Sequence, residues 1–326
     1  MKQVLVSGSS GIVGYGVLRS LRQAGQPCFL VGTSIYDDSV APAFCDVFEQ
    51  APLTGKPEYL DWLLATLRRY RIDLLIPSIE IDMYHWVEHV PEIRATGAVP
   101  LLNVPELIAL CKDKWAFYQR LAAAEGVSCA IESSLEQDFA ALAAQFGLPF
   151  LLKPRRGFGS KGIVRVASEE MFQRHRADIG PVLMAQPIVG NDDEEFTTSA
   201  FCDGRGGYFA SMTLRRKLSR DGFTEKAEVA DSAEFVPAMD KLCRLFHPLG
   251  PTNFQFRRCT EGIKLLEINP RISSSTSIRT AFGYNESAMA LAYFLDQRDP
   301  VQSAIRRGRA VRYTDEQIFY EDGVHL

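Results

Sequence analysis

The chain has 326 residues, enough for two or three domains with well-formed cores, and its 46% hydrophobic and 23% charged residues are an ordinary soluble balance with no disordered tract. A net charge of −4 excludes nucleic acid or an anionic membrane as a partner held by bulk electrostatics, so an anionic ligand must be held by local basic groups. No apolar run is long enough to cross a bilayer, and seven dispersed cysteines without a C-x-x-C pair read as reduced thiols of a cytoplasmic chain without a zinc site.

The start, MKQVLVSGSSGIVGYG, is a short strand (KQVLVS) running into glycines and is not a signal peptide. The segment VLRSLRQAG has helical spacing and ends at Gly25, after which PCFLVGTS reads as a strand. An amphipathic helix over Tyr59–Tyr70 and a buried strand IDLLIPS continue the alternation, which to about Leu102 predicts an open parallel α/β sheet. Helical segments follow at Pro105–Cys111, Lys114–Glu125 and Glu136–Phe146. From LPFLLKP onward the pattern is β-rich: KGIVRVAS, VLMAQPI, EEFTTSAFCD, GGYFASMTL, TNFQFRRCT and GIKLLEINP, mostly joined by Gly/Asp turns, as in antiparallel sheets. The tail Val311–Leu326 reads as a final edge strand. The expected fold is therefore an N-terminal open parallel α/β domain followed by a larger α+β part.

Two glycine loops carry different expectations. Gly8-Ser-Ser-Gly11-Ile-Val-Gly14 lies between a strand and a helix, where backbone N–H groups can hold a pyrophosphate. The acid that would bind ribose at the end of the second strand is not there, since Asp37 and Asp38 come late. Tight strand–helix packing is the favoured reading of these glycines. Gly157-Phe-Gly159-Ser160-Lys-Gly162 instead lies between two strands, so no helix dipole is available to it. It can fold over a nucleotide as a flap with its N–H groups on the phosphates. Lys153, at the end of an otherwise apolar strand, would aim its charge at the phosphates, and Lys161 adds charge at the tip.

Near the end, Asn253-Phe-Gln255-Phe-Arg257 and Lys264-Leu-Leu-Glu267-Ile-Asn269-Pro-Arg271 read as a hairpin about the Cys259–Gly262 turn. Alternation puts Glu267 and Asn269 on one face, and pairing puts Gln255 opposite Glu267. One carboxylate and two amide oxygens suit Mg²⁺, which is completed by substrate phosphates and water; Mn²⁺ fits the same donors. Arg271, just past the strand, can reach a phosphoryl oxygen. The run Arg215-Arg-Lys217 is either an anion clamp or a solvated edge-strand face. Glu80 and Asp82 follow a buried strand at its ligand-binding end, where they could bind an amine, or Glu80 could only cap the next helix. His85, His89 and His247 are read as structural.

Together, Lys112-Asp-Lys114-Trp, Pro149-Phe-Leu-Leu-Lys153-Pro, the loop Gly157–Gly162, Glu194-Glu195-Phe and Leu266-Glu267-Ile-Asn269-Pro-Arg271 resemble the ATP-grasp superfamily. The resemblance is greatest to its carbamoyl-phosphate-synthetase-like branch, which includes the pyrrolysine-biosynthesis ligase. It implies a pre-ATP-grasp α/β domain over 1–110 and an ATP-grasp domain over 111–326. The latter would divide into a small flap subdomain at about 111–185 and a large antiparallel subdomain at about 186–326. It further implies that Lys114 and Lys153 contact ATP phosphates under a flap containing Gly157, Gly159, Ser160 and Gly162. Gln186 and Ile188 would present backbone groups to adenine, and Glu195 would hold the ribose. Gln255, Glu267 and Asn269 would bind magnesium, with Lys153 and Arg271 as catalytic groups. The implied activity is that of an ATP-dependent carboxylate–amine (or thiol) ligase acting through an acyl phosphate, with ADP and phosphate released. Its partners are a small-molecule carboxylate and amine, with no nucleic acid or membrane and a homodimer as the default assembly. The contrasting expectation is an ATP-binding regulatory subunit without its own chemistry.

Overall fold

The computed structural model describes residues 1–157 and 162–319. The chain opens with β1 (Lys2–Val6), α1 (Ile12–Arg22), β2 (Cys28–Ser34), β3 (Val47–Gln50), α2 (Tyr59–Arg69), β4 (Leu74–Ile76), α3 (Glu80–Glu88), α4 (Val90–Arg94) and β5 (Val99–Pro100). The strands form a parallel sheet in the order β3-β2-β1-β4-β5. Both faces are covered, and strand alternation explains how. Val4, Val6, Leu74 and Ile76 face an apolar cluster with Val17, Leu18 and Leu21 of α1. Leu5 and Leu75 face the opposite cluster, with Leu63 and Leu67 of α2 and Met83 and Trp86 of α3. The chain leaves β1 toward β2 and β3 and returns on its other side as β4. The crevice at the C-terminal ends of β1 and β4 is thus the topological switch point.

Next come α5 (Pro105–Cys111), α6 (Lys114–Ala122), α7 (Phe139–Phe146), β6 (Phe150–Pro154), β7 (Val164–Val166), α8 (Glu169–Gln173) and β8 (Leu183–Pro187). Here the strands form a three-stranded antiparallel sheet, β7-β6-β8, packed on Leu142 of α7 and Phe172 of α8.

The remaining elements are β9 (Glu195–Asp203), β10 (Tyr208–Leu218), β11 (Thr224–Val229), α9 (Val236–Phe246), β12 (Leu249–Cys259), β13 (Gly262–Asn269), α10 (Thr276–Ala281), α11 (Glu286–Ala290) and β14 (Arg309–Val311). They build a six-stranded sheet in the order β13-β12-β9-β10-β11-β14, antiparallel throughout. Phe254 and Phe256 of β12 pack with Leu242 and Cys243 of α9 on one face. On the other, Phe201 and Met212 join Ile278 of α10 and Met289 of α11 in the same cluster that holds Val4, Val6 and Leu18. One apolar core therefore runs from the parallel sheet through α1 to the six-stranded sheet.

The parallel sheet followed by antiparallel sheets is the fold class expected from the strand–helix alternation. Three local differences have physical causes. The strand expected over Val311–Leu326 lies at Arg309–Val311, because its pairing with β11 ends at Val311 opposite Lys226; residues 320–326 lie outside the described part. β11, polar in sequence (TEKAEV), is held by register with β10 and not by its composition. α9, an amphipathic helix opened by Pro237 that the strand-rich pattern does not predict, buries Met239, Leu242 and Cys243 at helical spacing.

In the first glycine loop, Gly8 has φ +56° and a Cβ on Gly14 would lie 2.4 Å from the Gly8 carbonyl oxygen and 2.5 Å from Ser9 Cα. These distances are the packing role of the glycines. Gly14→Ala is expected to destabilise the chain by about 1–3 kcal/mol. Gly55, with nothing within 4 Å of its would-be Cβ, should tolerate alanine with little change or a gain of about 0.4–1 kcal/mol. Urea unfolding of the two variants checks this.

Candidate active site

A cavity of about 770 Å³ opens where the three sheets meet. Its walls carry seven Lys or Arg side chains against five Asp or Glu, although the whole chain is net acidic. Lys153 enters at the end of β6, where the apolar alternation of FLLK leaves its one charge at the strand terminus. Burial pushes its ammonium below the usual lysine range; Glu267 pulls the other way, Lys114 and Arg257 add to the lowering, and Glu195 opposes it. Burial pushes the Glu267 carboxyl up, but Lys153, the Asn269 amide, Lys114 and Arg216 together hold it below the usual range. Glu267 is thus kept ionised, whereas Lys153 is a cation short of negative charge. A polyanionic ligand would supply it.

The hairpin register is as the alternation required: Gln255 pairs with Glu267 and Cys259 with Gly262. Glu267 and Asn269 are two residues apart on one strand, and Asn269 Nδ2 donates to Glu267 Oε1 at 3.1 Å. Gln255 is occupied differently. Its Oε1 accepts from Arg216 Nη2, and the same guanidinium donates to Glu195 Oε1 from Nε at 3.1 Å and Nη2 at 2.8 Å. Arg257 Nη2 donates to Glu195 Oε2 at 2.6 Å. Glu195 and Arg216 are buried, so this carboxylate sits between two guanidiniums. Arg257 was unassigned in the sequence, yet its place on the Asn253–Gln255 face of β12 was the available signal.

The basic run of β10 splits by alternation: Arg216 faces the cavity, while Arg215 and Lys217 are exposed. Arg215 pairs outside with Glu194 at 3.2 Å. Leu218 and the turn residues Asp221 and Phe223 also reach the cavity wall. Gln186 is buried and donates to Ser133 Oγ at 2.8 Å, and the wall continues through Ile188. Lys114 Nζ donates to the Gly157 carbonyl at 2.8 Å, which ties the start of α6 to the base of the second glycine loop. Asp113 caps α6 by accepting from Trp115 N at 3.0 Å and pairs with Arg155 at 2.7 Å and Arg156 at 3.0 Å. Gly157 and Gly162 flank the loop; Gly159, Ser160 and Lys161 lie outside the described residues.

At the switch-point end, Arg271 Nε donates to Glu80 Oε1 at 3.0 Å, a second contact from Nη2 falls on the same oxygen, and Nη1 donates to the Ile272 carbonyl at 2.7 Å. Glu80 therefore faces the cavity as the partner of Arg271. Asp82 does not: it is buried and accepts from Thr54 Oγ1 and Tyr59 OH, and burial pushes its carboxyl up. Among the histidines read as structural, His89 lies 3.3 Å from Glu92. Lys112 is separate from Lys114, with its Nζ 4.4 Å above the Tyr84 ring.

Solved structures share this fold. An N5-carboxyaminoimidazole synthetase from Staphylococcus aureus, complexed with ADP, superposes with a TM-score of 0.71 at 17% identity, covering 93% of this chain and 80% of that one. The fold is that of the ATP-grasp proteins. A biotin carboxylase from Campylobacter jejuni gives 0.71 at 16% identity over 94% of this chain and 74% of that one. The Aspergillus clavatus carboxyaminoimidazole ribonucleotide synthase complexed with ATP gives 0.70 at 19%, over 94% and 80%. A family model described as ATP-grasp in the biosynthetic pathway with Ter operon matches residues 183–317. The uncharacterized protein y4rH of Sinorhizobium fredii is 28% identical in an alignment of 193 residues that covers 52% of this chain and only 38% of that relative.

Among the described residues there is no group of three or more His, Cys, Asp and Glu placed to hold a metal. The cavity offers a different donor set. Glu267 is held ionised, and Asn269 keeps its amide oxygen as an acceptor while its nitrogen serves Glu267. That pair fits Mg²⁺ whose other ligands are phosphates and water. Gln255, opposite Glu267 in the hairpin, accepts from Arg216 on Oε1 and keeps a second lone pair there.

The Glu195 cluster makes a stability test. Glu195→Ala leaves two guanidiniums facing each other and is expected to cost about 3–5 kcal/mol. Glu234→Ala removes a half-exposed partner of Arg258 and should cost less than about 1 kcal/mol. Denaturant unfolding of both variants reads the difference.

Proposed function

We propose that this ATP-grasp chain is an ATP-dependent ligase that activates a carboxylate as an acyl phosphate and transfers the acyl group to an amine. The observation that carries the reading is the cavity in which Lys153 and Glu267, from two different sheets, face each other within an excess of basic side chains. A pocket that keeps one carboxylate ionised beside several cations suits a nucleotide triphosphate with its metal. The fold agrees, and two of the similar structures hold ADP or ATP.

In this reading the span 1–110 forms the acceptor side and 111–326 the nucleotide side. Lys114 and Lys153 bind the phosphates beneath the Gly157–Gly162 flap, which excludes water that would hydrolyse an acyl phosphate. The backbone at Gln186–Ile188 faces adenine. Glu195 accepts from ribose hydroxyls through lone pairs its arginines leave open, with Arg216 and Arg257 holding it in place. Magnesium at Gln255, Glu267 and Asn269 would neutralise charge on the phosphates. Arg271 and Lys153 stabilise the charge that accumulates as a carboxylate oxygen bonds to the γ-phosphorus and ADP departs. An amine nitrogen then attacks the acyl carbon, loses a proton and expels inorganic phosphate.

MgATP at about 100 times its Kd should stabilise the chain by about 2.7 kcal/mol, read as a rise in Tm. Lys153→Ala should lose most of that rise. Lys153→Ala and Glu267→Ala should each lower ADP release by about 100-fold or more while the apo chain stays folded. Full turnover in either variant overturns the reading, and nucleotide binding without turnover for any carboxylate–amine pair points to a regulatory subunit.

The Lys153 shift adds a pH dependence. Its charged form is the one that binds phosphate, and its pKa lies below the ordinary value of about 10.4. ADP affinity should therefore weaken as pH rises through this lowered pKa, before an ordinary lysine would lose its charge. Calorimetric titrations with metal-free ADP from neutral to alkaline pH should show that limb. Lys153→Arg, always protonated, should flatten it.

A further inference from the structure

Glu80 stands at the switch-point crevice, as the first residue of α3 just past β4, and lines the cavity with Ile12 and Val13 of α1. Both contacts from Arg271 land on Glu80 Oε1. Oε2 has no partner among the hydrogen bonds and ion pairs of the described residues, and the side chain retains 17% of its exposure. Arg271 has five N–H groups and uses three, two on Glu80 and one on the Ile272 carbonyl. An anion acceptor and a cation donor thus lie side by side at one end of the cavity, each with capacity left. One turn further along α3, Tyr84 lines the same wall with Met83. Burial, then Glu80 and Cys111, push the Tyr84 phenol up to about 12, so it is a neutral hydroxyl at physiological pH.

We infer that the carboxylate substrate of this site is an α-amino acid, its ammonium held by Glu80 Oε2 and its carboxylate laid along the free N–H groups of Arg271. The inference rests on the ligase reading above and adds the substrate class. Adjacent opposite charges match a zwitterion whose two groups share one carbon, and a plain carboxylate would leave Glu80 Oε2 unmatched. Ile12 and Val13, both partly exposed, supply an apolar surface for its side chain. The reacting atoms follow from the orientation. The carboxylate oxygen beside Arg271 bonds to the γ-phosphorus while the bond from that phosphorus to the β–γ bridging oxygen breaks and ADP leaves. The acyl carbon then accepts an amine, which loses a proton, and phosphate departs with the electron pair of the cleaved C–O bond.

The test uses the full-length chain with MgATP and hydroxylamine, which traps an acyl phosphate as its hydroxamate and makes the natural acceptor unnecessary. Each of the twenty protein amino acids is compared with its des-amino acid. The expected result is hydroxamate from at least one amino acid, with kcat/KM for its des-amino counterpart lower by on the order of 100-fold or more. Glu80→Gln should shrink that ratio to below about 10-fold, because kcat/KM falls much further for the amino acid than for its des-amino counterpart. A variant that fails to fold leaves the wild-type ratio as the deciding measurement. Equal use of des-amino acids, loss of both substrates alike in Glu80→Gln, or no hydroxamate from any amino acid overturns the inference. The Tm rise with MgATP on the same preparation separates the failures: if it persists without hydroxamate, the amino-acid inference falls alone, and if it is absent the ligase reading falls as well.

Discussion

The site depends on the meeting of Lys153 and Glu267 across a gap between two sheets. Neither charge is comfortable there alone. Burial works against the ammonium of one and the carboxylate of the other, and each is the main opposing influence on its neighbour. The two do not balance the cavity, because Lys114, Arg216 and Arg257 add positive charge against Glu195 and the exposed Asp192. Glu195 is already held between two arginines. The net effect is an electropositive, partly desolvated chamber in an acidic protein. Its positive charge is therefore not a by-product of composition; it was placed by strand ends from different sheets.

Much of that chamber could be read in the sequence, because strand alternation carries it. Gln255 opposite Glu267, Asn269 two residues beyond and Lys153 closing an apolar strand all follow from period-two geometry and one turn. Pairings between distant segments could not be read this way. Glu80 and Arg271 are 191 residues apart, and nothing local to either marks the other. Arg216 was visible only as one of three successive basic residues; the β10–β11 register decides that it faces inward while its neighbours face out. Asp82 shows the reverse limit. Its position after a buried strand suggested a ligand, but one helical residue in a packed Thr54–Tyr59–Trp86 network is satisfied before any ligand arrives.

The first glycine loop shows how one pattern can serve two ends. A side chain at Gly14 would collide with the backbone of its own loop, so the glycines are needed for α1 to sit close on β1. That close seating has a consequence for the cavity. It brings Ile12 and Val13, the first residues of α1, to the wall near Glu80. The glycines thus shape the switch-point end without requiring a ligand of their own.

The same helix explains why the Glu80–Arg271 pair can remain available to a ligand. If that ion pair were what joined the parallel sheet to the rest of the chain, opening it to a substrate would loosen the whole assembly. It carries no such burden. The continuous apolar cluster through Val17, Leu18 and Leu21 of α1 to Ile278, Met289 and Phe201 already fixes the two sheets relative to each other. Thr280 and Asn285 add hydrogen bonds to Ser20 across the same contact. A partly buried ion pair contributes little net stability once its desolvation is counted. With the core holding the geometry, Glu80 and Arg271 can exchange part of their mutual contact for a substrate's charges at small cost. A ligand end built from two distant segments therefore needs the apolar seam as much as it needs the charges.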